Sequence, residues 1–215
     1  MGLDSVTTIL AVRHGETAWN RESRIQGQLD IPLNALGQAQ AWRLGRALAG
    51  ESLDAIYSSD LARAWQTAEA IGSATGLSLR AEPALRERSF GVFQGLSWSE
   101  IEQQWPAQSE RWRRRDPDFA AEGGESLQDF YHRAVTTVER LARAHPGQIV
   151  VIVAHGGVMD CLHRAGRRLS LQAPRSWVLG NATINRLLYS AAGLSVVGWN
   201  DDGHLEGLSL DETAA

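Results

Sequence analysis

Apolar and polar positions along the chain fall into two alternating rhythms. Thr7–Val12 (TTILAV) reads as a short buried strand that ends at Arg13-His14-Gly15. Asn34 stands where an N-cap belongs, ahead of a helix from Ala35 to about Leu48 with Gly50 behind it as a stop. Leu53–Tyr57 (LDAIY) is strand-like, and Asp60 is then placed to cap a helix running through about Ser73. The clearest helical stretch is Glu125–His145, where Leu127, Phe130, Ala134, Val138 and Leu141 share one face. Gln148–Ala154 (QIVVIVA) is a continuous apolar run, as expected of a central strand covered on both sides. It leads into His155-Gly156-Gly157 and a further helical pattern, followed by two β-like runs, Ala182–Tyr189 and Leu194–Trp199.

Strands alternating with helices predict an α/β fold, a three-layer α/β/α arrangement with a mostly parallel central sheet. Ser97–Gly124 breaks the alternation and reads as a small helical insertion near the sheet edge. Within it Trp98, Trp105 and Trp112 fall at intervals of seven, which suits one helical face packing onto the domain. With 215 residues, 43% of them hydrophobic, the expectation is one domain over 1–215 with 97–124 as a cap, burying roughly 70% of its unfolded surface.

Composition then removes whole classes of function. A net charge of −4 and 21% charged residues argue against a nucleic-acid coat or a disordered tail. A lone cysteine, Cys161, excludes an internal disulfide scaffold and a multi-cysteine zinc site. No apolar run reaches the ~18 residues of a membrane span, and Met1–Leu10 lacks the positive segment of a signal peptide, so no membrane partner and a cytoplasmic location are expected. All 21 basic residues are arginine, which excludes Schiff-base and P-loop lysine chemistry.

Ligands in parallel α/β sheets sit beyond the carboxyl ends of the strands. His14 and His155 both lie at such ends, and Arg63 follows a third, in the first turn of a helix, where the dipole disfavours a cation. A bound anion would resolve that conflict. Further along come Leu85-Arg86-Glu87, Phe90-Gly91, Gln94-Gly95-Leu96 and Gly124-Glu125-Ser126.

With Arg13-His14-Gly15-Glu16-Thr17, Asn20, the Tyr57–Ala68 block, His155-Gly156 and the late Asn181–Asn185 segment, this ordered set resembles the histidine phosphatase superfamily, which includes cofactor-dependent phosphoglycerate mutases. The resemblance implies His14 as nucleophile and Arg13, Asn20, Arg63 and His155 as the phosphate clamp. It implies Glu87 as the proton donor to the leaving group, and no metal or other cofactor. The chemistry is consistent with those residue types. Neutral imidazole attacks a phosphate dianion without charge repulsion, and Arg13 and Arg63 would help keep it neutral. Planar guanidinium groups match the equatorial oxygens of the transition state. Glu87 must carry its proton in the first step, which a neighbouring dianion favours.

Plainer readings stand beside these. Glu87 is also placed for a salt bridge with Arg86 or Arg88, and Glu16 for organising its loop. The Arg111–Arg115 run reads as a solvated face pairing with Glu110 and Asp116, with contact to an acidic substrate as the lesser reading. Asp160, Cys161 and His163 lack a recognised metal spacing and suit an ordinary helix. Among reactions, hydrolysis of a small-molecule phosphate ester is preferred. The segment after Gly95-Leu96 is Ser97-Trp98, without the lysine with which mutases of the family grip the substrate carboxylate, and the loop before Gly124 is short. Trp112-Arg113-Arg114 echoes the mutases and keeps phosphoryl transfer to a second oxygen as the alternative. Behind it come a protein phosphohistidine phosphatase and a non-catalytic phosphate-binding module. Neither the individual substrate nor the oligomeric state is legible in the sequence.

Overall fold

The computed structural model describes residues 6–208. Six strands form one sheet: β1 (Thr7–Arg13), β2 (Ala55–Ser58), β3 (Leu79–Ala81), β4 (Ile149–Ala154), β5 (Ile184–Ser190) and β6 (Gly193–Asp201). Their order is β3-β2-β4-β1-β5-β6. The first four run parallel, whereas β5 is antiparallel to β1 and forms a hairpin with β6. Seven helices accompany them: α1 (Ala18–Arg21), α2 (Ala35–Leu48), α3 (Ala62–Thr75), α4 (Trp98–Gln104), α5 (Pro106–Arg113), α6 (Leu127–Arg143) and α7 (Gly156–Arg167).

The alternation of side chains along β1 and β4 divides the core in two. Ile9, Ala11, Val150 and Ile152 face Phe130, Val138 and Leu141 of α6 and Leu162 of α7. Leu10, Val12, Val151 and Val153 face Leu44 and Leu48 of α2 and Ala64, Ala68 and Ile71 of α3. This is the expected three-layer sandwich. The long apolar run of β4 follows from it, because both of its faces are covered. Asn34 caps α2 as read from the sequence, its Oδ1 accepting from Gly37 N at 2.8 Å. β3 had no readable signal, being three half-exposed residues at the sheet edge.

Three expectations are corrected. Asp60 does not cap α3: Leu61 holds the cap position without a side-chain bond. Asp30 instead reaches in from a distant loop to accept from Ala62 N at 2.6 Å, while Asp60 pairs with Arg86. The long C-terminal-half helix starts at Leu127, not Glu125, because Ser126 caps it by accepting from Asp129 N and leaves Glu125 outside. The tryptophans at intervals of seven do not share one helix. Pro106 lacks the N–H that would continue α4, so the chain breaks at Trp105 and restarts as α5. The rings still converge: Trp112 stacks on Phe90 and Phe93 at 5.0 and 5.6 Å and meets Trp98 edge-on at 5.3 Å. Phe93, Ile101 and Phe119 form the small core beneath them.

Candidate active site

The register of the two central strands brings the histidines together. Arg13 pairs with Ala154, and His14 N donates to Ala154 O at 3.0 Å, so the next residues, His14 and His155, are neighbours. Their ring centroids lie 5.2 Å apart, tilted by 58°. β2 ends beside them, and Ser59 Oγ lies 2.8 Å from His155 Nε2. Ser59 Oγ also accepts from Leu61 N at 3.3 Å. The other ring nitrogen of His155, Nδ1, is a buried atom with no protein partner.

The tautomer of His14 is set by a carbonyl. Its Nδ1 lies 2.7 Å from Gly15 O, and a carbonyl can only accept, so Nδ1 carries the proton and Nε2 the lone pair. The side chain is 3% exposed. Burial, followed by the charges of Arg63 and Arg13, pushes the His14 imidazole well below its ordinary pKa. Burial likewise pushes His155 well down, followed by Arg63, His14, Arg13 and Arg133. Both rings are therefore neutral near pH 7.

Two buried guanidinium groups flank them. Arg63, on the first turn of α3, donates to Leu29 O at 2.9 Å and Gly27 O at 2.7 Å. Burial holds it down to about 10, still cationic. Arg13 donates to Leu179 O. The Nε atoms of both are buried without protein partners. Asn20 Oδ1 accepts from Thr17 N and Thr17 Oγ1, both at 3.0 Å, closing a capping box on α1. Its oxygen is thus engaged, and its amide NH2 is the group left for the cavity it lines.

Glu87 follows a 3-10 turn, Pro83–Leu85, and is not paired with either neighbouring arginine. Arg86 is held by Asp60, and Arg88 donates to the carbonyls of Glu125 and Phe119. The Glu87 carboxylate instead accepts from Gly157 N at 2.9 Å and Arg88 N at 2.8 Å. Gly157 opens α7, whose N-terminus favours an anion. A Cβ at residue 157 would stand 2.2 Å from Glu87 Oε1, so only glycine permits this approach.

Arg13, His14, Asn20, Arg63 and Glu87 line a cavity of about 210 Å³. An adjoining cavity of about 560 Å³ shares Arg13, Glu87, Phe90 and Gly156 with it. His155 is fully buried behind this lining, its ring against His14.

A family model described as histidine phosphatase superfamily (branch 1) matches residues 9–202. The chain belongs to the histidine phosphatase superfamily. Phosphoglycerate mutase-like protein 4 of Arabidopsis thaliana is 37% identical over 203 residues, covering 92% of this chain and 86% of that one. The solved structure of YhfR from Bacillus stearothermophilus superposes with a TM-score of 0.87 at 32% identity, covering 93% and 100% of the two chains. That of a mycobacterial glucosyl-3-phosphoglycerate phosphatase with VO3 gives 0.79 at 34% identity, covering 92% and 99%. The relatives of this superfamily member thus carry both mutase and phosphatase names.

Several residues of the site had escaped the sequence reading. Ser59, Arg24 and Gln26 carry no periodicity, and only the topology brings them to the His14 cavity or its histidines. Arg115 is the exception in the arginine run. Arg111, Arg113 and Arg114 pair with Asp116, Glu102 and Glu110 on the outside, as expected of a solvated face. Arg115, at φ +53°, turns inward to the 560 Å³ cavity and meets Asp160 Oδ2 at 2.7 Å. Asp160, Cys161 and His163 lie buried on α7, where Asp160 also holds Arg164 at 2.9 Å. Among the described residues no helix is long and apolar enough to cross a membrane.

Proposed function

We propose that this protein hydrolyses small-molecule phosphate monoesters, without a metal or other cofactor, through a phosphohistidine on His14. One observation carries the reading. A buried, neutral imidazole has Nδ1 tied to Gly15 O and stands between two guanidinium groups whose Nε atoms have no protein partner. Nε2 of His14 attacks phosphorus, the P–O bond to the leaving group breaks, and Glu87 gives its proton to the departing oxygen. The resulting phosphoimidazolium keeps its Nδ1–H on Gly15 O. Arg13, Arg63, His155 and the amide of Asn20 hold the phosphoryl oxygens. In the second step Glu87, now ionised, takes a proton from water as the water oxygen bonds to phosphorus. The P–N bond breaks, and His14 and protonated Glu87 are restored with one phosphate released.

The 560 Å³ cavity receives the leaving group. The mutase alternative drew on Trp112-Arg113-Arg114. Of these, Trp112 lines the cavity, while Arg113 and Arg114 are 54% and 76% exposed and pair with glutamates outside it. That arrangement favours hydrolysis.

The test is a panel of metabolite phosphates assayed in EDTA, with 3-phosphoglycerate followed for isomerisation in parallel. Phosphate release should persist in EDTA, an acid-labile phosphoenzyme should be trapped, and His14→Ala should abolish both while remaining folded. Isomerisation without phosphate release, or activity that chelation removes and a metal restores, would overturn the assignment.

A further inference from the structure

We infer that Arg133 of α6 is the positioning residue for Glu87, holding the loop that carries it at the distance proton transfer requires. The inference rests on the proposed role of Glu87. Residues 84–89 leave a 3-10 turn and belong to no strand or α-helix, so their carbonyls have no ladder to bond to. One guanidinium supplies three donors, and Gln28 Nε2 adds a second to Glu87 O at 3.1 Å. Arg133 Nη1 donates to Ala84 O at 2.7 Å and Arg86 O at 2.9 Å, and Nη2 to Glu87 O at 3.3 Å.

That guanidinium is itself held in a two-pronged pair with Glu125. Nε meets Oε1 and Nη2 meets Oε2, both at 2.8 Å. Glu125 N in turn donates to Ser89 O at 2.9 Å, so Glu125 and Arg133 grip the loop on both sides of Glu87. The same helix contributes Phe130, which touches the space occupied by Gly157 and the Glu87 carboxylate. Arg133 lies 5.1 Å from the centroid of that ring. The backbone of Glu87 is thus referenced to α6 and its carboxylate to α7. These are the two helices packed on one face of β1 and β4, the strands that present His14 and His155.

Arg133 lines neither cavity, so its hydrogen bonds reach the site through the loop that carries Glu87. A general acid matters when the leaving group is an alkoxide and matters little for p-nitrophenolate. The experiment is therefore a double-mutant cycle of Arg133→Met with Glu87→Gln. The phosphorylation step is measured in single turnover with glycerol phosphate and with p-nitrophenyl phosphate. Arg133→Lys is added because it keeps the charge opposite Glu125 and loses the fork, which keeps the test decisive should the methionine variant fail to fold.

Each Arg133 variant should slow the glycerol phosphate step by about 10- to 100-fold, the scale of an ångström of misplacement. The p-nitrophenyl phosphate step should change much less. In the Glu87→Gln background, a further Arg133 change should alter the glycerol phosphate rate by less than about twofold. Multiplicative losses in the cycle, or equal slowing of both substrates, would overturn the positioning role while leaving Glu87 as the acid. A Glu87→Gln enzyme with unchanged rates on both substrates would overturn the acid assignment itself, and the positioning role with it.

Discussion

Gly157→Ala isolates the placement of a single carboxylate. The added methyl group would lie 2.2 Å from Glu87 Oε1, 3.1 Å from Glu87 Cδ and 2.9 Å from Phe130 Cε1. Ordinary contact begins near 3.4 Å, so the carboxylate must withdraw by about 1 Å, the displacement that loses roughly 100-fold in rate for a reacting group. The fold has little to lose. Alanine gains about 0.5–1 kcal/mol over glycine in a helix, against the ~1–3 kcal/mol of overpacking at Phe130. Net destabilisation should stay within about 2 kcal/mol.

The assay compares kcat on an alkyl phosphate with single-turnover phosphorylation by p-nitrophenyl phosphate, alongside thermal unfolding. The expected result is a drop of about 100-fold on the alkyl ester with a small change in Tm and a much smaller effect on the p-nitrophenyl first step. Gly156→Ala is the internal control, because its nearest neighbour, Arg13 Nε, lies at 3.4 Å, and it should retain far more activity. If Gly157→Ala turns over alkyl phosphates at the parental rate, the close approach of Glu87 to α7 has no part in the reaction.

Arg63→Ala should lower kcat/KM by a factor corresponding to about 2.7–4 kcal/mol, the loss of one transition-state donor. It should also lower Tm, since Gly27 O and Leu29 O lose their partner; unchanged kcat/KM would remove Arg63 from the clamp. The two site histidines predict an acid-side loss of stability. Their folded pKa values lie well below 6.5, so below pH 6.5 the unfolded chain binds the extra protons. Their contribution is therefore complete above about pH 6.5 and falls as pH drops towards the folded values, by up to about 1.4 kcal/mol per pH unit for each ring. Denaturant unfolding from pH 7.5 to 5 checks this against His155→Gln, which should show a shallower slope; identical slopes would contradict the buried neutral state.

Much of the candidate site was legible because His14 and His155 sit where strands end. The β1 and β4 patterns located His14 and His155, and the alternation of strands and helices predicted the face on which they meet. What the sequence concealed is carried by loops and long-range pairs. Asp60 looks like a cap in a linear reading, yet Arg86 draws its carboxylate away and Asp30, 32 residues upstream of Ala62, takes over the helix end. Arg115 is indistinguishable from its three exposed neighbours until a left-handed φ turns it toward Asp160. Arg133 reads as the polar side of an amphipathic helix, because nothing local announces that three carbonyls some 46 to 49 residues earlier converge on it. Gly157, in the first turn of α7, stands in plain view beside His155, and its meaning is a distance that only the folded chain supplies.

The two histidines place one residue type in two different surroundings. Both are buried and neutral, so charge does not separate them; their partners do. Gly15 O can only accept, which fixes the proton of His14 on Nδ1 and leaves Nε2 as a lone pair. His155 Nε2 faces the Ser59 hydroxyl at 2.8 Å, and its Nδ1 is buried without a protein partner. The two rings stand 5.2 Å apart, and in the proposed reaction His14 attacks phosphorus while His155 holds the phosphoryl group. Arginine is the suitable cation beside such a pair. It stays protonated even when burial lowers Arg63 to about 10, so in the proposed reaction it offers positive charge to a phosphate while its charge keeps both imidazoles unprotonated. A titratable amine in the same place could relieve the repulsion by giving up its own proton, and the clamp would lose its charge.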